Sequence, residues 1–148
     1  MTLTIEIARV VNDDLVNGMN RLLPQLSTNA VALTHTDVTR LVESPTTMLF
    51  VARSDGSMVG TLSLVVFAIP TGLRAWIEDV IVDESARGTG VGEALTLGAV
   101  NEARGRHVRS IDLTTRPARE AANRLYERLG FELRETNVYR FSVEPEIA

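Results

Sequence analysis

The chain has no cysteine among its 148 residues, which excludes disulfides, thiolate metal sites and any cysteine nucleophile. It has two histidines, His35 and His107; neither has ligand partners at metal-binding spacing, so surface or structural roles and no metal are expected. No Gly-x-Ser-x-Gly elbow accompanies them, which leaves a serine hydrolase without support. Excess positive charge is also missing. Nineteen acidic against fifteen basic side chains give a net charge of −4, so no long-range field gathers nucleic acid or an anionic membrane, and a neutral or cationic small partner fits better. Uninterrupted apolar runs are scarce. Glu6, Arg9, Asp13 and Asp14 break up the first fourteen residues, against the pattern of a signal peptide. The uncharged run 56–73 approaches the length of a membrane span, but Gly60, Thr61, Ser63, Pro70 and Gly72 interrupt it, and it reads as a buried strand with its loop. The cytoplasm is the simplest address.

What is there is the make-up of one globular domain over residues 1–148: 45% hydrophobic and 23% charged residues, with five Pro and ten Gly and neither repeats nor a linker. The pattern alternates. Residues 3–11 read as a strand, and Asn12 or Asp13 caps a helix with Leu15, Met19, Leu22 and Leu23 at helical spacing. A short helix is expected over 37–42, ended by Pro45. Strands over 48–53 and 58–69 flank the turn Ser54, Asp55, Gly56, Ser57, which is hairpin chemistry. Residues 75–82 form the next strand. After a glycine-rich loop, Val91, Ala94, Leu95, Gly98 and Ala99 give a helix one small-residue face that can press closely on a sheet. A strand over 109–115 and a helix from Pro117 to its stop at Gly130 follow, the helix with Ala122, Leu125 and Leu129 on one face. Strands over 131–134 and 138–143 complete a mixed sheet covered by helices.

The most informative residues are Arg87, Gly88, Thr89, Gly90, Val91 and Gly92, between a strand and a helix N-terminus. Backbone N–H groups and the positive end of the helix dipole converge there, glycines let an anion approach the main chain, and Arg87 adds charge at the rim. That geometry suits a phosphate. A nucleotide P-loop would continue with Lys and Ser or Thr, whereas Glu93 and Ala94 follow; a dinucleotide fingerprint needs a different glycine spacing and an earlier place in the chain. A turn that only packs a helix on a strand is the bland alternative.

Arg87 to Gly92 resembles the Arg/Gln-x-x-Gly-x-Gly/Ala signature of the GNAT superfamily of acyl-coenzyme A dependent N-acetyltransferases. The run Asn123, Arg124, Leu125, Tyr126, Glu127, Arg128, Leu129, Gly130, Phe131 is similar to the helix and strand that flank the cofactor thiol in that family. The element order agrees over almost the whole chain. The resemblance implies an α/β (α+β) fold, with a mixed, mostly antiparallel sheet of about seven strands, about four helices, and a splay between strands 4 and 5.

It also implies acetyl-coenzyme A as cosubstrate, with the diphosphate on Arg87, Gly88, Thr89, Gly90, Val91 and Gly92. The pantetheine arm would pair with the backbone of Val80, Ile81 and Val82, and Asn123 would hydrogen-bond the cofactor. Splayed strands leave unpaired N–H and C=O groups for pantetheine amides. Transfer to an amine needs a base, an oxyanion donor and an acid for the departing thiolate. Glu78 is the leading base and Asp79 the second choice, with alternation placing the two on opposite faces; the N–H near Val80 serves the oxyanion, and Tyr126 is the acid. A solvated strand end for the carboxylates and a half-buried aromatic for Tyr126 are the bland alternatives. Without cysteine the transfer is direct, in a ternary complex. The acceptor is read as a primary amine of a small molecule, with a protein N-terminus or lysine as the in-class alternative and a non-catalytic acyl-coenzyme A sensor as the rival. The Ile77, Glu78, Asp79 segment looks most like glucosamine-phosphate N-acetyltransferases, over too few residues to name a substrate. Residues 16–47, the acceptor wall, hold no readable motif. A homodimer through residues 138–143 is an open alternative.

Overall fold

The computed structural model describes residues 2–144. A five-stranded sheet runs in the order β1 (Leu3–Ile7), β2 (Thr47–Ser54), β3 (Ser57–Ile69), β4 (Gly72–Val82) and β5 (Ile111–Asp112). The first four strands are antiparallel neighbours, and β5 joins β4 in parallel. Four α-helices cover the sheet: α1 (Asp13–Leu26), α2 (His35–Glu43), α3 (Val91–Gly105) and α4 (Glu120–Arg128).

Local chemistry sets several boundaries. Asn12 caps α1 by accepting from the Leu15 N–H at 2.9 Å. Thr34 and Asp37 form a reciprocal capping box that starts α2 two residues earlier than the spacing suggested. Asp55 and Gly56 both have positive φ, 50° and 87°, so the β2–β3 turn has the handedness that matches strand twist. His35 is held to α1 by a hydrogen bond between its Nε2 and Asp13 Oδ1 at 2.8 Å. His107, at φ 60°, takes the left-handed position just past α3.

The sheet is buried on both faces, as the unbroken apolar run of β2 requires. Met48, Phe50 and Ala52 point to α3, where Val91, Leu95, Ala99 and Ala103 meet them. Leu49 and Val51 point the other way, into Leu15, Val16, Met19 and Leu22 of α1 and Val38 of α2. Gly60 fixes the approach of α3 to the sheet. A Cβ there would lie 2.9 Å from Val91 Cγ1 and 3.0 Å from the Ile81 carbonyl oxygen, so only glycine lets the elements come this close.

Expectations are corrected in three regions: the end of the sheet, residues 109–119 and β4. The sheet has five strands among the described residues and not seven, because 131–134 and 138–143 join no ladder. Their side chains alternate as a strand's would, but β propensity forms a strand only where a partner is in place. The strand expected over 109–115 shrinks to Ile111–Asp112, and α4 starts at Glu120 rather than near Pro117. The third correction concerns β4. Ser63 pairs with Glu78 but Thr61 with Ile81, so a bulge inserts an extra residue at Asp79 and Val80. Asp79 takes the left-handed conformation at φ 49°. Strand parity flips there: Ala75 and Ile77 face α3, while Ile81 faces α1. Glu78 and Asp79 are consequently both exposed and not on opposite faces of a regular strand.

Candidate active site

β4 and β5 hold together at two rungs only, Ala75 with Ile111 and Trp76 with Asp112. Beyond them the strands part. Ile77, Glu78, Asp79 and Val80 on one side and Leu113, Thr114 and Thr115 on the other line a cavity of about 150 Å³. Tyr126 and Arg119 close it from α4 and its approach, and Leu26 from the last turn of α1. The splay expected between the fourth and fifth strands is therefore present, and Glu78, Asp79, Val80 and Tyr126 meet at it. Pockets that enclose a drug-sized ligand run to roughly 300–1,000 Å³, so this one suits a reacting group and not a whole nucleotide. The Thr115 Oγ1 is buried in this wall without a hydrogen-bond partner among the described residues.

Tyr126 is half-buried and meets Phe131 edge to face, with centroids 5.7 Å apart. Burial pushes its phenol above the ordinary value of 10.0, and the nearby Arg119 guanidinium partly opposes the shift. A proton held this firmly stays on oxygen through neutral pH.

The glycine loop adjoins the same end of β4. After a 3-10 turn over Glu84–Ala86, Gly88 and Gly90 take φ of 77° and 90°, and Gly90 stands at the N-cap of α3. Nothing of the protein lies within 4 Å of a Cβ built on either glycine. Their backbone thus faces open space, which an anion can occupy. The first intrahelical bond runs from the Ala94 N–H to the Gly90 carbonyl at 3.0 Å, so the N–H groups of Val91, Gly92 and Glu93 precede it and carry the dipole's positive end. Thr89 Oγ1 donates to the Ala86 carbonyl, and Arg87 Nε donates to the Val82 carbonyl at 3.3 Å, leaving its exposed terminal nitrogens toward solvent. Arg128 of α4 pairs with Glu93 at 3.7 Å.

Two of the candidate residues are placed differently. Ile81 packs its side chain in the α1 core and offers a ligand its main chain alone. Asn123 donates both contacts of its Nδ2 locally, to the carbonyls of Arg116 at 3.0 Å and Arg119 at 2.8 Å. It fastens the 116–119 turn to α4, and Oδ1 is what it can present to a ligand.

Several residues at the site carried no motif. Gln25 Nε2 donates to Asp83 Oδ1 at 2.8 Å, and the Glu84 N–H donates to Gln25 Oε1 at 3.0 Å. One side chain therefore ties the end of α1 to the start of the glycine loop. The Gln25 bond, reinforced by Ser85, holds the Asp83 carboxyl below its usual range. A sequence reader's one clue was Pro24, which lies inside the last turn of α1 just before Gln25 and Leu26. Among the described residues no group of three or more His, Cys, Asp or Glu side chains is placed to hold a metal, and no helix is long and apolar enough to cross a membrane.

Comparison with known proteins agrees with this geometry. The model of the acetyltransferase (GNAT) family matches residues 19–131. A mycothiol acetyltransferase of Thermobispora bispora is 40% identical over 85 residues, 55% of this chain and 29% of that protein; the matched region is thus under a third of that relative's length. Among solved structures, a Bacillus halodurans protein described as a transcriptional regulator superposes with a TM-score of 0.81 at 26% identity, covering 95% of this chain and all of that one. An aminoglycoside acetyltransferase from an uncultured soil sample, in complex with trehalose, gives a TM-score of 0.83 at 19% identity, with 97% of each chain covered; at that identity the likeness shows the fold.

Proposed function

Because the chain belongs to the acetyltransferase (GNAT) family, we propose that it transfers an acetyl group from acetyl-coenzyme A directly to a primary amine of a small molecule, as a single domain in the cytoplasm. The observation that carries this reading is the meeting of Glu78, Asp79 and Tyr126 at one cavity where β4 and β5 part. The glycine loop opens beside it.

The residues present fit the cosubstrate. Main-chain N–H groups at 88–92 and the Arg87 guanidinium suit its diphosphate, and the unpaired edges of β4 and β5 beyond Trp76 suit the amides of its arm. In the cavity the amine nitrogen bonds the thioester carbonyl carbon and the carbon–sulfur bond breaks. Glu78 takes the proton the amine loses, with Asp79 as the alternative base; that both residues line the cavity supports this reading. The N–H of Val80 is the donor assigned to the developing oxyanion. Tyr126 returns a proton to the departing sulfur. A free thiol titrates near 8.5 and a phenol near 10, so this proton transfer is uphill by roughly 1.5 units, or about 2 kcal/mol, in water. The desolvation that raises Tyr126 also raises a thiolate in the same cavity, so the mismatch does not grow on burial.

The acetyltransferases among its relatives support a small-molecule acceptor over a protein N-terminus or lysine: one is named for mycothiol, the other for aminoglycosides. A relative described as a transcriptional regulator keeps the non-catalytic sensor in play as the rival. Thiol release from acetyl-coenzyme A across a panel of amino sugars, aminoglycosides, polyamines and peptide amines separates the readings. Release that depends on a small amine supports the proposal; release with peptides alone favours the protein acceptor; tight binding without release by any amine favours the sensor.

A further inference from the structure

The last rung between β4 and β5 is Trp76 with Asp112, and the cavity opens directly beyond it. Strand alternation fixes the face these residues share. Ala75, Ile77 and Ile111 pack into the core with α3, so Arg74, Trp76, Glu78 and Asp112 project from the opposite face. That is the face covered by α1, whose Leu26 reaches the cavity.

Trp76, the single tryptophan of the chain, is half-buried and packs into neither apolar core. Large aromatic side chains ordinarily anchor a core. An indole left outside both, one rung from the cavity, presents an apolar surface to whatever occupies that face. Beside it, Arg74 Nη2 donates to Asp112 Oδ2 at 2.9 Å. The two side chains are only 28% and 22% exposed, and Arg74 Nε is buried without a hydrogen-bond partner. A guanidinium and a carboxylate that meet squarely make two parallel bonds. This pair makes one, which leaves donors on Arg74 and the second oxygen of Asp112 for a ligand.

We propose, on the premise of acetyl transfer to a small amine, that Trp76, Arg74 and Asp112 form the floor on which the acceptor lies and that they select an amino sugar. A sugar ring has an apolar C–H face, which can lie on an indole, and an edge of hydroxyls, each of them donor and acceptor at once. The Arg74 and Asp112 pair offers N–H donors and a carboxylate acceptor to neighbouring hydroxyls. Its charges cancel, so it holds a neutral edge without repelling the amine. Glu78 follows Trp76 by two residues on the same face, roughly 7 Å along the strand, so a ring on the indole carries its amino group toward the base. A linear alkylamine offers neither the flat face nor the paired hydroxyls.

Turnover and the emission of the single tryptophan test this together. Thiol release from acetyl-coenzyme A is expected to show a kcat/KM for glucosamine, galactosamine or neamine at least about tenfold above that for hexylamine and cadaverine. The sugars that turn over are expected to shift the tryptophan emission of the chain loaded with coenzyme A, saturably. Trp76→Leu should shrink the preference for sugars at least about tenfold, through their KM and not their kcat, and Trp76→Phe, which keeps a ring, should recover most of it. Alkylamines acetylated as well as the sugars, sugars turned over with no change in emission, or a preference that survives in Trp76→Leu would each overturn the proposal and leave acetyl transfer standing. No thiol release with any amine would remove the acetyl-transfer reading and this one with it. Should Trp76→Leu fail to fold, the wild-type panel and emission decide alone: both results uphold the proposal, and the lack of either overturns it.

Discussion

Two walls of the site around Glu78, one beside the cavity and one lining it, are built of different material. The loop from Arg87 to Gly92 presents main chain: two left-handed glycines, open space before them and the N–H groups that start α3. The wall from α1 and the chain that follows it presents side chains, with Leu26 reaching the cavity and Gln25 gripping Asp83 and Glu84. A main-chain site needs particular backbone angles, and those demand glycine at set positions. A side-chain site tolerates many residue types, provided their shapes fit one acceptor. The first kind of wall leaves a motif, and the second does not.

Changes to each wall should therefore separate cofactor from acceptor, and the largest effect belongs to the cavity where β4 and β5 part. Tyr126→Phe should lower kcat by about 10²-fold while acetyl-coenzyme A affinity stays nearly unchanged, as steady-state kinetics beside calorimetry would show. Since the phenol is held above 10 and its protonated form is the useful one, the wild-type alkaline fall in kcat should begin only above pH 10. The variant should lack that limb.

Next in size is Gly90→Val. A β-branched residue at φ 90° carries strain of order 1–3 kcal/mol and points a side chain into the space before the loop, so acetyl-coenzyme A should bind at least about tenfold more weakly in a titration. Equal affinity in this variant would break the contrast between the walls.

Leu26→Ala tests the other side. Losing part of one apolar side chain is worth about 1 kcal/mol, which should raise the acceptor KM by about fivefold and leave acetyl-coenzyme A binding alone. If the cofactor constant moved instead, Leu26 would belong to the first wall.

The smallest change is expected for Gln25→Ala, which cuts the tie between the walls. With Asp83 only partly buried, the two hydrogen bonds should be worth only about threefold in either KM, at the low end of their range. The pH dependence gives a sharper sign. Asp83 is held below 3.8 in the folded chain, so its stabilising contribution is complete above that value and is lost as pH falls through the lower folded-state one. The stability gap between wild type and Gln25→Ala in denaturant melts should be visible at neutral pH and close below about pH 3.8.

The same division explains what could be read from the residues. Asp55 and Gly56 announce their turn because two positive φ angles are a local demand, and Gly98 with Ala94 and Ala99 shows the face of α3 because helical spacing is local too. Glu78, Asp79 and Tyr126 stood out by residue type and by the motifs around them, and all three line one cavity. The bulge at Asp79 was not. Nothing in Ile77 to Val82 marks an extra residue, and its existence depends on register with Thr61 and Ser63 of another strand. Gln25 and Thr115 escaped for a related reason: each acts on a partner distant in sequence or has none. Residues 131–143 show the limit most plainly. They carry as good a strand pattern as β4 does, yet a ladder needs a second strand, and no side-chain pattern says where that strand comes from.

The most direct test of the account is a calorimetric titration of the wild-type chain with acetyl-coenzyme A, repeated with Gly90→Val. The account predicts a saturable heat at one molecule per chain, competed by free coenzyme A and weakened in the variant. No heat with the wild type, or the same isotherm for both chains, would contradict it.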